Sequence, residues 1–164
     1  MQYLTGMSQN TRLLIVIADG AHVRFVRPDA DGTLHTVTSI DSPAAHKQSS
    51  DIGSDHPGAA FHSQSSAHHA RQPRHDPQDL AAQDFAHFVA GEINTRFGQN
   101  SVDKLLLAAP SHTLGAIRER LDPGAAAAVA GTLGKDLVKT PDHELEPHLR
   151  HWLNLLIRYP NHPA

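Results

Sequence analysis

The chain reads as an α/β protein: a single domain built on one mixed sheet, in the order β-β-β-loop-α-β-α-β-α, with helices packed on it. Three observations predict this. "LLIVIA" at 13–18 is an unbroken, largely branched apolar run, the pattern of a strand covered on both faces. "KLLLAAP" at 104–110 has the same pattern. The segments after residue 76 carry apolar residues at helical spacing, so helices and strands alternate in the second half, whereas the first part is purely β.

After the first strand, "DGA" is a tight-turn signal. "HVRFVR" then alternates: Val23 and Phe25 face one side, His22 and Arg24 the other, and Val26 breaks the alternation of apolar with polar. "PDADG" makes a second turn, and "TLHTVTSI" alternates again, with Leu34, Thr36 and Thr38 set against His35, Val37 and Ser39. These elements predict a three-stranded antiparallel meander.

Residues 42–76 show no period, and Ile52 and Phe61 are their only large apolar side chains. Such a composition buries too little surface to offset its own ordering entropy, so this segment is expected to be a long mobile loop. A helix is expected from "DPQDLAAQDFAHFVAGEINTRFG", with Asp76 as N-cap, Pro77 at N1 and Gly98 at C′. Its apolar stripe is Leu80, Phe85, Phe88, Val89 and Ile93. "SHTLGAIRERL" (111–121) predicts a second helix with Leu114, Ile117 and Leu121 inward and Ser111 as cap. "VAGTLGKDLVK" (129–139) predicts a strand weakened by Gly131 and Gly134. The strand–helix–strand unit over 104–139 is expected to cross over right-handed. The last helix is expected to open at Thr140 and Pro141 and to bury Leu145, Leu149, Trp152, Leu153 and Leu156. The expected organisation is a flexible segment at 1–11, the α/β domain at 12–158 and a tail at 159–164.

Composition narrows the function classes. The 164 residues are 39% hydrophobic and 19% charged, with a formal net charge of -3, so charge alone does not hold this protein on nucleic acid. The absence of cysteine excludes disulfides, thiolate metal sites and cysteine nucleophiles. The amino terminus lacks the pattern of a signal peptide, and the longest apolar run is too short to span a bilayer, which predicts a cytoplasmic protein with no membrane partner. The compositional outlier is histidine, with 14 residues.

"IVIADGAHVRFV" (15–26), "LLLAAPSHTLGAIRERL" (105–121) and "GKDLVKTPDHELEPHL" (134–149), in that order and spacing, resemble the bacterial family of proteins required for attachment to host cells, over about residues 12–150. That family is similar in fold to the middle domain of archaeal and eukaryotic class-1 peptide release factors. The resemblance implies a ribonuclease-H-like mixed sheet and a link to the ribosome or RNA. In those factors the loop before the first long helix carries the Gly-Gly-Gln that triggers peptide release. The corresponding segment here contains none, and Gly98-Gln99 falls at a helix end. The expectation is therefore a non-catalytic binding protein with a ribosome or RNA as partner, without DNA and without a cofactor.

Several residue groups are candidates for chemistry. His56, His62, His68, His69 and His75 provide many imidazoles, but their spacing matches no zinc motif, and a solvated loop is the ordinary explanation. The same segment includes Arg71 and Arg74 in "RQPRH", a local basic patch able to meet RNA phosphates, and protonation of its histidines below about pH 6.5 adds positive charge. At the strand ends, Asp19 and His112 are the candidate catalytic pair of an alternative reading, a metal-dependent hydrolase or nuclease, with Asp41 and Asp103 as further carboxylates. His22, Arg24, Ser111, His112 and Arg118 are candidate binding residues, the last three around a helix amino terminus that favours anions. Glu144, His148 and His151, at i, i+4 and i+7, are a candidate metal trio on the last helix. A histidine-rich metal-binding protein is the third functional reading.

Overall fold

A computed structural model describes residues 11–43 and 77–156. They form five strands: β1 (Leu13–Ala18), β2 (His22–Pro28), β3 (Leu34–Asp41), β4 (Lys104–Ala108) and β5 (Val129–Leu133). The helices are α1 (Pro77–Gly98), α2 (Ser111–Glu119), α3 (Pro123–Ala128) and α4 (Glu146–Leu156), with a 3₁₀ turn at Asp142–Glu144. The strands make one mixed sheet in the order β3-β2-β1-β4-β5. β1–β2 and β2–β3 are antiparallel, whereas β1–β4 and β4–β5 are parallel.

The unbroken apolar run places β1 at the centre of the sheet, where every residue from Leu13 to Ala18 is buried. Its alternate side chains feed two cores. Leu14, Val16 and Ala18 join Val23, Phe25, Leu105 and Leu107 beneath α1, α2 and α3. Leu13, Ile15 and Ile17 join Val26, Leu106, Leu137, Leu149 and Leu153 on the opposite face, beneath α4. Val26 therefore keeps the strand's period of two. It looked irregular in the sequence only because both faces of the sheet are covered.

Five local expectations change. α1 buries Phe85, Ala86, Val89, Ala90 and Ile93. Leu80 and Phe88 lie outside that stripe and are exposed, because the two alanines rather than the larger side chains let the helix approach the sheet. Gly98 ends α1 without positive φ, and the left-handed residue is Asn100 (φ 60°), whose N–H donates to Phe97 O. Ser111 is the first residue of α2, whose N-cap is Pro110, with no side-chain capping bond. α3 is an additional helix: Pro123 at its first position and an alanine run favour it, and Asn94 of α1 pins its entrance by donating to Arg120 O (3.1 Å) and accepting from Asp122 N (2.9 Å).

The fifth change is at the carboxyl-terminal end. β5 stops at Leu133, and residues 134–141 run as a loop pinned to β2. The Arg24 guanidinium donates to the carbonyls of Leu137, Val138 and Thr140 at 3.0, 2.9 and 2.6 Å, and pairs with Asp142 at 2.6 Å. Asp142 also accepts from Thr36 N (2.8 Å) and Thr36 Oγ1 (2.6 Å). The expected single helix from Thr140 is thus split into a 3₁₀ turn and α4. Pro147 accounts for the split: it has no N–H for the carbonyl four residues earlier, so a helix started at 142 cannot run through it.

Candidate functional site

Two edges of the sheet carry polar groups. At the carboxyl edge, the parallel pairing of β1 and β4 brings the ends of both strands to one side, so Asp19 and Ser111–His112 share that edge, as expected if the strands run parallel. The local geometry ties Asp19 into its turn. Its Oδ1 accepts from Ala21 N (2.8 Å) and His22 N (2.7 Å), and His22 Nδ1 lies 3.0 Å from the same oxygen. His22 Nε2 is 4.0 Å from Asp41 Oδ1 across the β2–β3 register, so this imidazole stands between two carboxylates. That juxtaposition is invisible in the sequence, because it depends on the hairpin register.

The other candidates at this edge do not join that group. His112 is exposed on α2, and the Ser111 hydroxyl faces Gly134, where an added Cβ would lie 3.2 Å from Oγ. Arg118 sits in the last turn of α2, about 10 Å along the helix axis from the first. It is too far from the helix amino terminus to hold an anion there with Ser111. Arg24 spends its donors on the clamp to residues 137–142. Asp103 precedes β4 and belongs to the opposite edge, which breaks up the trio of carboxylates Asp19, Asp41 and Asp103.

The helical trio also separates. Glu144 lies on the 3₁₀ turn, apart from His148 and His151 on α4, and His151 packs edge-on against Trp152 at 4.9 Å between ring centroids. Among the described residues, no group of three or more His, Asp or Glu side chains converges as a metal site. His56, His62, His68, His69, His75, Arg71 and Arg74 lie outside the described residues.

An apolar groove of about 500 Å³ opens beside this edge, between the end of β3 and the first turns of α1. Ile40, Ala81, Phe85 and Phe88 line it, with Asp41 and Asp84 at the rim. The ring of the exposed Phe88 stacks on Phe85 at 5.7 Å.

The amino edge carries four cations, two of them in ion pairs. Arg12 immediately precedes β1, Lys104 opens β4, Arg27 lies near the end of β2, and Arg96 is in the last turn of α1. Arg12 grips Asp103 through Nε (3.2 Å) and Nη2 (2.9 Å) and donates Nη1 to Asn100 O (2.6 Å). Hydrogen bonds from the Arg12 side chain and backbone hold the Asp103 carboxyl well below its usual range, at about 2. Arg96 lies 4.0 Å over the Phe25 ring and pairs with Glu92 at 2.7 Å. Sequence reasoning did not single out this edge: its residues come from four separate segments, with no common motif.

The sheet, with helices on both faces and its polar groups divided between the two edges, defines a mixed-sheet α/β protein. The chain belongs to the family described as "Protein required for attachment to host cells", which matches residues 14–149. No curated protein matches it. Among solved structures, it is similar to an archaeal translation termination factor, aRF1, at 10% identity and a TM-score of 0.46, covering 94% of this chain. The chain spans 42% of that factor's length. No helix among the described residues is long and apolar enough to cross a membrane.

Proposed function

We propose that this protein acts in the cytoplasm by binding rather than by turnover, and that its partner is an RNA-bearing particle, the ribosome first. The observation that carries the reading is the uneven distribution of charge. The whole chain has a formal net charge of -3, yet the amino edge of the sheet gathers Arg12, Arg27, Arg96 and Lys104, of which Arg12 and Arg96 are paired with Asp103 and Glu92 and Arg27 pairs with no carboxylate among the described residues. A cluster of guanidinium groups with one left unpaired, on an otherwise acidic protein, is a feature suited to phosphate contact. The carboxyl edge supports binding over hydrolysis, since Asp19 is engaged in holding its own turn.

Co-sedimentation of the purified full chain with ribosomes over a salt series tests the proposal. Pelleting that weakens steeply with salt is the expected outcome, because phosphate contacts release counterions. Retention in the supernatant at low salt would sink it. The hydrolase reading draws on one specific feature, the His22 imidazole between Asp19 and Asp41. It predicts phosphodiesterase turnover that Asp41→Asn abolishes without unfolding the protein.

A further inference from the structure

Arg27 occupies an unusual position at the amino edge. Its side chain projects from β2 on the same face as Phe25, two residues away, and Arg96 lies over that ring. Its hydrogen bond among the described residues is a long one, 3.4 Å from Nη1 to Ser101 O. The preceding carbonyl, Asn100 O, is taken by Arg12 at 2.6 Å, so the two guanidinium groups hold successive peptides of the same loop. Ser101 Oγ closes the arrangement by donating to Arg96 O at 3.1 Å. Arg12 and Arg27 thus meet residues 100–103 through their side chains, while Arg96 meets them through its backbone carbonyl and carries its guanidinium over Phe25, on the face from which Arg27 projects.

Two of them are neutralised locally, Arg12 by Asp103 and Arg96 by Glu92. Arg27 pairs with no carboxylate among the described residues. Burial, and then the like charges of Arg96 and Arg12, push its pKa below the ordinary guanidinium value. An arginine stays charged at neutral pH regardless, so this half-buried cation keeps most of its donor fork unused among like charges. A tetrahedral oxyanion meets that requirement: it can accept two parallel N–H bonds from one guanidinium, and it relieves the repulsion among three.

From this geometry we infer that Arg27, flanked by Arg12 and Arg96, is a phosphate-binding site, and that the phosphate it takes is that of an RNA backbone. The identity of the ligand rests on the RNA reading above, whereas the site itself rests on the arginine geometry alone. Glu92 and Asp103 tune the site. They cancel enough charge for the three guanidinium groups to coexist without ligand, and leave one positive charge for it.

The test is fluorescence anisotropy of a labelled twelve-nucleotide single-stranded oligoribonucleotide with wild-type protein, Arg27→Gln and Arg27→Lys. Each variant is checked by thermal melting, and the Arg27 Nε–H resonance is followed in wild type during titration with inorganic phosphate. Arg27→Gln is expected to bind RNA roughly five- to tenfold more weakly, with the salt slope reduced by about one. Arg27→Lys, which keeps the charge and loses the fork, should fall between, and inorganic phosphate should shift the Nε–H signal and compete with the RNA. If wild type binds RNA and Arg27→Gln binds equally well with the same salt slope, the site is overturned and the RNA reading stands on other contacts. If inorganic phosphate shifts the Arg27 signal but no RNA binds, the site stands as one for free phosphate and the RNA reading fails. If neither ligand moves the Arg27 resonance, the site is overturned whatever the variants do.

Discussion

Three residues govern local stability in different ways. Gly131 is buried in β5, where an added Cβ would lie 2.6 Å from the Trp152 ring, well inside van der Waals contact. Gly131→Ala should destabilise the protein by about 1–3 kcal/mol through overpacking, read as a lower urea midpoint with an unchanged slope. Trp152→Leu in the same chain should recover part of that loss, because the two side chains share one space. Arg24 gathers three carbonyls and a carboxylate, and Arg24→Met removes their shared donor: Val138 O and Thr140 O lose that bond, while Leu137 O keeps Thr140 N and Asp142 keeps Thr36. An expected loss of about 2–3 kcal/mol follows from unpaired acceptors in a half-buried setting. Burial alone would raise the Asp142 carboxyl, but hydrogen bonds from Thr36 and Arg24 outweigh it and hold the net direction downward. Asp103 sets part of the acid response. Its folded-state pKa of about 2 lies below the ordinary 3.8, so its stabilisation is present above pH 4 and disappears as the pH falls towards 2. The stability gap between wild type and Asp103→Asn, measured by denaturation at each pH, should therefore close over that interval. It should be small throughout, since both partners of the pair are exposed.

At the scale of elements, α1 gives the sharpest contrast. Phe85 is 5% exposed and belongs to the core, whereas Phe88, on the neighbouring turn, is 43% exposed. Phe85→Ala should cost about 3–5 kcal/mol and Phe88→Ala about 1 kcal/mol or less, compared by chemical denaturation. The sequence placed both in one stripe because spacing alone cannot tell a helix face against a sheet from the rim beside it. Strands were more legible. Six consecutive buried residues in β1 are a property of the sequence, and only a central strand uses them. α3 was harder to foresee, because alanine carries little hydrophobic period, and its entrance depends on Asn94 from another helix. The break at Pro147 was legible in principle, since proline forbids the bond that a continuous helix needs. Contacts between distant segments left no local trace: Arg24 and Asp142 are 118 positions apart, and the four cations of the amino edge come from four separate segments. The candidate site followed the same division. The turn role of Asp19 was readable from Asp-Gly, whereas the approach of Asp41 to His22 required the register of β2 on β3.

The molecule as a whole is organised around one strand. β1 pairs on both edges, is covered on both faces, and joins the antiparallel meander to the parallel half. Its amides should be among the slowest to exchange with solvent, opening only with global unfolding, while those of the edge strands β3 and β5 exchange by local opening. Hydrogen exchange followed residue by residue checks this, and comparable rates across all five strands would contradict it.

The same centrality shapes how the protein is made. β1 is synthesised before its partners, and its antiparallel neighbour follows within a few residues. Its second edge must wait for β4, and its second face for α4, more than a hundred residues later. At ordinary rates of translation, the wait from β1 to β4 is on the order of ten seconds. Throughout that interval the nascent chain carries its most apolar strand half-paired. Chains stalled before residue 104 should therefore be sticky and short-lived, and should engage chaperones that chains extended beyond α4 no longer need.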